Sequence, residues 1–323
     1  MKRRLLTVLA ALSLVLSGCG TGTASKDKLH IVTTIMPEYD WVMNVLGENP
    51  GNAEVTLLLE SGADLHSYQP SAADIMKIAD CDVFICVGGE SDKWTGDALK
   101  ESRNPELAVI RLLETDGAGV REEETPEGAE EEHDHEYEEE HHDEHEHEEE
   151  YDEHLWLSLR SAQVLVQKIS DVISEKDPDH ADVYSANTAA YLEQLAALDQ
   201  QYQETVSNAE FQSLLFGDRY PFRYMADDYG LTCYAAFSGC SAETEASFET
   251  VLFLAGKLDE LGLNHVMTIE GSDGRIAQTI IENSKDKNRD ILTLNSMQES
   301  MDKNTSYLDV MNDNLNVLKE ALN

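Results

Sequence analysis

Basic residues are scarce in this chain of 323 residues, which carries 23 Lys and Arg against 64 Asp and Glu and a formal net charge of −41. A surface this acidic repels phosphate groups, so the composition argues against any nucleic-acid partner. Cysteine is also rare: there are five, and no two of them have the C-x₂-C spacing typical of thiolate zinc sites. The sequence therefore gives no indication of a zinc site built from paired cysteines.

Long hydrophobic runs are missing after the N-terminus. The one run near the start, from Leu5 to Leu16, follows a basic segment and is too short to span a bilayer comfortably. It leads into Leu16-Ser17-Gly18-Cys19, which resembles a bacterial lipobox and implies cleavage ahead of Cys19 and a lipid on that cysteine. We therefore expect a signal peptide over residues 1–18, a flexible tether over residues 19–28, and a mature protein anchored outside the cytoplasmic membrane by its lipid.

The four cysteines left after such processing are Cys81, Cys86, Cys233 and Cys240. An exported protein meets an oxidising environment, in which disulfides are allowed. Cys233 and Cys240 flank a predicted strand and turn and could meet, and the sequence leaves open whether they are bridged.

Acidic residues are abundant, and one segment concentrates them. Residues 122–153 contain 20 Asp and Glu and no Lys or Arg. Such a segment cannot bury enough apolar surface to offset the entropy of ordering, so we expect residues 121–153 to form a disordered surface loop. Six histidines are interleaved with these acids: His133, His135, His141, His142, His145 and His147.

This mixture of imidazoles and carboxylates is suited to loose, multidentate capture of divalent cations. An acidic insert that only keeps the protein soluble and an insert that responds to pH are the other interpretations. Six histidines among 20 acids favour metal capture.

Strand-like and helix-like runs alternate in the first half of the chain. A helix is predicted after each of the first three of four apolar strands, which are Leu29 to Ile35, Glu54 to Leu59, Asp82 to Val87 and Leu107 to Leu113. Apolar strands that alternate with helices are typical of a parallel sheet covered on both faces. We assign residues 29–178, including the acidic loop, to this N-terminal lobe.

A second series follows a long helix over residues 179–209, which contains no Gly or Pro. Its predicted strands are Ser213 to Phe216, Thr232 to Phe237, His265 to Ile269 and Asp290 to Leu294. Residues 210–323 then form a C-terminal lobe. The predicted fold is α/β, with two lobes of (βα)₄ type joined by the long helix, and with a ligand in the cleft between the lobes, at the carboxyl ends of the strands.

Two histidines lie where a ligand of that cleft would bind. His66 follows the second predicted strand, and His154 lies where the acidic loop re-enters ordered structure. Neutral imidazole is the commonest metal ligand, and its second ring nitrogen needs a carboxylate or carbonyl partner. A lone histidine is more often structural or exposed, so the position of both in loops at the cleft is what makes them candidate ligands.

The patterns L-H-x-Y-x-P at His66 and D-x-H-L-W-L at His154, together with S-A-E-T-E-A-S at residues 241–247, resemble the metal-binding lipoproteins of bacterial zinc and manganese ABC importers. The resemblance extends from Leu29 to Asn323. It implies two lobes bridged by a rigid long helix, a metal ion at their interface and a permease as partner. The family's histidine-rich loop goes with zinc rather than manganese, and imidazole-rich sites do suit zinc better.

The chain departs from this family at two positions that would otherwise supply ligands. The family's third histidine aligns with Arg219, which has no acceptor and cannot bind a metal, and the family's acidic ligand aligns with Asn295. The nearest substitutes are Glu270 and Asp218, each at the end of a predicted strand. We favour Glu270, because Asp218 is expected to pair with an arginine. Two histidines, one carboxylate and water would still suit Zn²⁺.

We therefore expect a monomeric, lipid-anchored receptor that captures Zn²⁺ and delivers it to an ABC permease, with no catalytic activity. One alternative is an exported metal buffer or adhesin in which the histidine-rich loop is the main binder. Another is a metallohydrolase, but the H-E-x-x-H cluster that commonly marks one is absent.

Overall fold

The computed structural model describes residues 28–47, 51–59, 64–129, 151–241, 245–299, 302 and 304–323. The predicted signal peptide, nearly all of the tether, Cys19 and the six loop histidines lie outside these residues, so those predictions remain predictions. Among the residues that are described, none of the helices combines the length and the apolar character that crossing a membrane requires.

The N-terminal sheet has four parallel strands in the order β2-β1-β3-β4. All four residues of β3 are buried, as expected of a central strand covered on both faces. The strands are β1 (Leu29–Thr33), β2 (Ala53–Leu57), β3 (Val83–Cys86) and β4 (Ala108–Arg111). The helices that cover this sheet are α1 (Met36–Leu46), α2 (Ala72–Asp80), α3 (Thr95–Lys100) and α4 (Leu159–Lys176).

The C-terminal sheet repeats this design, with four parallel strands in the order β6-β5-β7-β8. β5 continues beyond its predicted end at Phe216, because a register shift between Phe216 and Arg219 lets it resume pairing with β6. The strands are β5 (Ser213–Tyr220), β6 (Thr232–Ser238), β7 (His265–Ile269) and β8 (Asp290–Leu294). The helices are α6 (Arg223–Tyr229), α7 (Phe248–Leu261), α8 (Arg275–Asn283) and α9 (Tyr307–Ala321).

The long helix α5 (Ala181–Ser207) joins the lobes, as predicted, and packs on α1 and α4 of one lobe and on α6 and α9 of the other. A single apolar cluster extends through both lobes, and the rings of Trp41 on α1 and Tyr307 on α9 meet edge to face at 5.3 Å. Because the lobes share this core, the edges of the two sheets are held in a fixed relation. The two-lobed α/β fold and its long helix are confirmed.

The described ends of the acidic loop lie close together. Glu122 and Tyr151 form an antiparallel bridge, and the amide of Asp152 donates to the carbonyl of Arg121 at 2.9 Å. After Glu122, the chain crosses to the other lobe, where Glu127 pairs with Tyr234 of β6. The start of the predicted loop, up to residue 129, therefore lies along the C-terminal lobe, although it precedes the linking helix in sequence.

Glu38 at the start of α1 is fully buried and carries a raised pKa. Its carboxylate accepts hydrogen bonds from the amides of Thr34 and Ile35 at 2.7 and 3.3 Å. Burial, and next the nearby Asp92, raise the pKa of Glu38 to about 8. The folded state therefore keeps a proton that the unfolded chain loses above its ordinary pKa of 4.5, so stability falls as the pH rises between 4.5 and 8.

We expect Glu38→Gln to flatten this pH dependence, because Gln keeps an acceptor and has no proton to lose. The free energy of unfolding of the unaltered protein should fall by up to about 1.4 kcal/mol per pH unit from this group alone. Urea unfolding at pH 5, 6, 7 and 8 measures it, with exposed Glu193→Gln as the matched control. Equal slopes in Glu38→Gln and the unaltered protein would show that Glu38 titrates normally.

Candidate metal centre

His66 and His154 come from separate loops and meet in the cleft. Their Nε2 atoms lie 3.3 Å apart, and their ring centroids lie 5.3 Å apart. His154 is fully buried, and the side chain of His66 is only 14% exposed. The structure thus brings together the two histidines that the sequence singles out.

The His154 ring is oriented by the acid two residues before it. Asp152 Oδ1 accepts hydrogen bonds from the His154 amide at 2.8 Å and from the ring nitrogen Nδ1 at 2.9 Å. The carbonyl of Asp152 is held in turn by the hydroxyl of Tyr224 on α6 at 2.7 Å. This contact fixes the end of the acidic loop, and His154 next to it, on the C-terminal lobe.

The His66 ring is oriented through a serine. Its Nδ1 lies 2.7 Å from Ser91 Oγ, which in turn donates to Glu153 Oε2. Glu153 Oε1 also accepts the amide of Ser91 at 2.7 Å. The carboxylate fits here because residue 89 is glycine: a Cβ at Gly89 would lie 2.1 Å from Glu153 Oε1. The neighbouring acids Asp152 and Glu153 therefore orient different imidazole rings, Asp152 that of His154 and Glu153 that of His66.

These partners settle which ring nitrogen of each histidine faces the other. A carboxylate only accepts, and Ser91 gives its own proton to Glu153, so each Nδ1 carries the proton and each Nε2 presents a lone pair. Burial, and next the electrostatic effect of the neighbouring His154, lower the pKa of His66 to about 3. His66 is therefore neutral at physiological pH, as metal binding requires.

Two lone pairs that face each other repel unless a cation or a donor lies between them. In a tetrahedral zinc site with bonds of 2.0–2.1 Å to nitrogen, two such atoms would be about 3.3 Å apart. The observed Nε2 separation is 3.3 Å. An orienting carboxylate behind each imidazole is also the usual arrangement around bound zinc.

The two carboxylates predicted as further ligands are engaged elsewhere. Glu270, just after β7, accepts hydrogen bonds from the amide and hydroxyl of Ser296, both at 2.6 Å, and from the amide of Gln298 at 3.2 Å. Asp218 accepts the amides of Arg219 at 2.8 Å and Ile269 at 3.5 Å. Among the described residues, neither belongs to the group of potential ligand atoms around the two histidines.

The two residues that replace family ligands have other partners. Arg219 does not pair with Asp218 through its side chain; its Nη2 lies 3.4 Å from Oδ2 of Asp64, at the start of the His66 turn. Asn295 accepts the amide of Met297 at 2.9 Å through its side-chain oxygen. Arg219 therefore links the two lobes beside the site, and Asn295 shapes the loop that follows β8.

Two residues at the histidine pair were not predicted from the sequence. The side-chain amide nitrogen Nε2 of Gln298 lies 3.2 Å from His66 Nε2 and is in hydrogen-bond contact with His154 Nε2. Cys240 follows β6, and one ligand atom from each of His66, His154 and Cys240 lies within 4.8 Å of the others. The absence of a C-x₂-C motif excluded paired cysteines only, and a single cysteine beside two histidines leaves no local signature. Cys233 and Cys240 form no disulfide.

Comparison with known protein families gives a match over almost the whole chain. A family model described as "zinc-uptake complex component A, periplasmic" (ZnuA) matches residues 31–321. The high-affinity zinc uptake system protein ZnuA of Bacillus subtilis is 31% identical over 324 residues, which cover 98% of this chain and 97% of that protein. The zinc-binding lipoprotein AdcA of Streptococcus pneumoniae is 32% identical over 326 residues. That alignment covers 99% of this chain but 61% of AdcA, so the chain spans about three-fifths of that relative.

Solved structures of related proteins have the same fold. The Zn(II)-bound ZnuA-like domain of Streptococcus pneumoniae AdcA has a TM-score of 0.70 at 28% identity, covering 91% of this chain and 99% of that domain. The laminin-binding protein Lmb of Streptococcus agalactiae, described as both adhesin and metal transporter, has a TM-score of 0.73 at 20% identity, covering 91% of this chain and 100% of that one. At that identity, the second likeness shows the fold alone.

Proposed function

Because this chain belongs to the ZnuA family of zinc-uptake components, we propose that it is a zinc receptor that captures Zn²⁺ outside the cytoplasmic membrane and delivers it to an ABC-type permease. One observation carries the proposal: the Nε2 atoms of two buried imidazoles lie 3.3 Å apart, and a carboxylate orients each imidazole from behind. This arrangement binds an ion and performs no reaction. The anchor is the lipid on Cys19, and the receptor works as a monomer.

The acidic loop serves as a collector in this proposal. Its six histidines and its acids make many weak contacts with Zn²⁺ and raise the local concentration of the ion. The bridge between Glu122 and Tyr151 closes the base of the loop three residues from His154, so ions held by the loop are released close to the site. Zinc then passes from weak, flexible ligands to buried, oriented ones.

Zinc rather than manganese is the transported ion, because the two ligands fixed in the cleft are imidazoles. The nearby carboxylates of Asp152 and Glu153 orient these imidazoles and are not free to bind the ion. Manganese prefers oxygen donors, and imidazole suits zinc. The ion also loses its water on entering a buried site, so only strong ligands offset the cost.

Replacing residues 130–150 by a short Gly-Ser linker separates the collector from the site. We expect the variant to lose several weak zinc equivalents and to keep one tight equivalent, with an affinity within about threefold of the unaltered protein, because loop and site share no ligand. Titration calorimetry on the mature protein measures both classes of site.

A matched variant that changes only the six loop histidines to Asn keeps the loop's length and acids. It should lose the same weak equivalents, which would assign them to imidazole rather than to carboxylate. If the tight equivalent disappears with the loop, the protein is instead a buffer in which the loop is the main binder.

A further inference from the structure

We infer that Cys240 binds the zinc ion as a thiolate, so that this receptor completes its site with sulfur where its family would place a third histidine. The inference rests on the proposed zinc-binding function and names the ligand that distinguishes this chain. His66, His154 and Cys240 are the group of potential ligand atoms that gathers within 4.8 Å among the described residues.

The turn that carries Cys240 is built to approach His154 closely. A Cβ added at Gly239 would lie 3.0 Å from Cε1 and 3.2 Å from Nδ1 of the His154 ring. A side chain at position 239 would therefore push the turn away from the imidazole. Glycine at this position lets the backbone pack on the ring, which places the next residue, Cys240, beside the two histidines.

Gln298 provides a second, independent indication of a ligand at this point. Its side chain is fully buried, and its Oε1 has no hydrogen-bond partner. Its amide nitrogen contacts both Nε2 atoms and lies 3.5 Å from the carbonyl oxygen of Gly239. A buried amide oxygen without a partner is costly, and a half-turn of the amide would direct that oxygen at an ion between the two histidines.

The distances suit a tetrahedral His₂Cys site. With Zn–N bonds of 2.0–2.1 Å and a Zn–S bond near 2.3 Å, sulfur and nitrogen would lie about 3.6 Å apart. The ligand atoms now lie within 4.8 Å of one another, so the sulfur–nitrogen distance would have to shorten by at most about 1.2 Å. Rotation of one cysteine side chain covers that gap. The Gln298 oxygen, or a water in its place, fills the fourth position.

Binding of zinc through sulfur needs only the loss of the thiol proton. The Sγ–H bond of Cys240 breaks, a sulfur–zinc bond forms, the proton passes to solvent, and no electron changes hands. Thiolate is a soft ligand that favours zinc and cadmium and disfavours manganese and magnesium. Cys240 thereby restores the selectivity that the missing histidine would have supplied.

Cadmium absorption and zinc affinity test this assignment on the full mature protein, kept in a non-chelating reductant. Cadmium bound to a thiolate gives a charge-transfer band in the ultraviolet that imidazole and carboxylate do not give. We expect the unaltered protein to show this band at one equivalent, and Cys240→Ala to lose it. Zinc affinity in Cys240→Ala should fall by at least about 100-fold, more than the loss of an outer-shell partner usually costs.

Controls separate ligation from packing. Cys233 is a thiol on β6, the strand that leads to Cys240. Cys233→Ala should therefore keep both the cadmium band and the zinc affinity. Cys240→Ser preserves the shape of the turn, so it should lose the band even if Cys240→Ala folds poorly. A band that persists in Cys240→Ser, or wild-type zinc affinity in a folded Cys240→Ala, would overturn the assignment.

His154→Ala tells the two proposals apart. If it abolishes tight zinc binding while Cys240→Ala does not, the receptor function stands and the sulfur ligand is wrong. If the unaltered protein has no tight zinc site, both are wrong.

Discussion

His154→Ala should lower zinc affinity by about 10²–10³-fold, one of the largest losses expected from a single change in this protein. Four-ligand zinc sites in proteins contribute about 10–16 kcal/mol, or roughly 2.5–4 kcal/mol for each ligand. His154 supplies one such ligand and is fully buried, so no solvent-exposed group can replace it from outside. His66→Ala should act in the same way.

Competition with a chromophoric chelator measures the affinity, and zinc-induced thermal stabilisation gives a second readout. A ligand that binds only the folded state raises its stability by RT ln(1 + [L]/Kd), so the variant should lose most of the shift in melting temperature. His180→Ala is the matched control, because His180 is half exposed and pairs with Asp177 at 2.8 Å, away from the cleft. Tight binding that survives in both His154→Ala and His66→Ala would place the zinc site elsewhere.

Glu270→Ala should weaken zinc binding far more than Asp218→Ala, although neither residue touches the histidines. The Glu270 carboxylate accepts three hydrogen bonds from the loop after β8, which carries Gln298 into the site. Hydrogen bonds to a charged group contribute about 1.5–3 kcal/mol each, and the donors would be left buried without a partner. Without Glu270, the loop no longer holds Gln298 against the ligands.

Two further features of this loop bear on the effect of losing Glu270. Met297 adopts a left-handed backbone with φ of 57°, a conformation that costs energy for a residue other than glycine. On its other side, the loop is tied to the His66 turn, because the amide of Leu65 donates to the carbonyl of Gln298 at 3.1 Å. Release of the loop would therefore disturb Gln298 and His66 together.

Zinc affinity and unfolding by urea, measured for both variants, decide between positioning and ligation. Glu270→Gln keeps an acceptor for Ser296 or Gln298 and should recover part of the zinc affinity, which a change of a direct carboxylate ligand would not. A large loss in Asp218→Ala with none in Glu270→Ala would show that the loop after β8 is dispensable and that Asp218 is the carboxylate that matters.

The architecture could be predicted from local patterns. Strand-like runs of four to eight apolar residues and the Gly-free stretch before Asn208 are signals carried by neighbouring residues, and periodicity captures them well. The main deviation was the length of β5, where a register shift lets pairing resume after Phe216. A shift of that kind depends on the partner strand β6, so no local pattern marks it.

His66 and His154 were also within reach of sequence reasoning, because each lies at the end of a segment whose place in the fold is fixed. The carboxyl ends of parallel strands share one edge, so a histidine in a loop at that edge faces the cleft. The acids that orient them lie in the same short segment as His154: Asp152 holds the His154 ring directly, and Glu153 holds His66 through Ser91. Only the second of these contacts needed the tertiary structure.

The other side chains at the histidine pair were decided by tertiary structure alone. The rule that selects strand ends led to Glu270 and Asp218, since it locates the edge of a sheet but not the direction of each side chain there. Close packing of Gly239 on the His154 ring turns Cys240 toward the histidines. Glu270 instead accepts hydrogen bonds from the loop that brings Gln298 to them. The sequence by itself determined two α/β lobes and a pair of histidines between them, because both follow from local periodicity and strand order. Which further side chains face the pair depended on contacts between turns that are distant in the chain, and those contacts exist only once the lobes have packed.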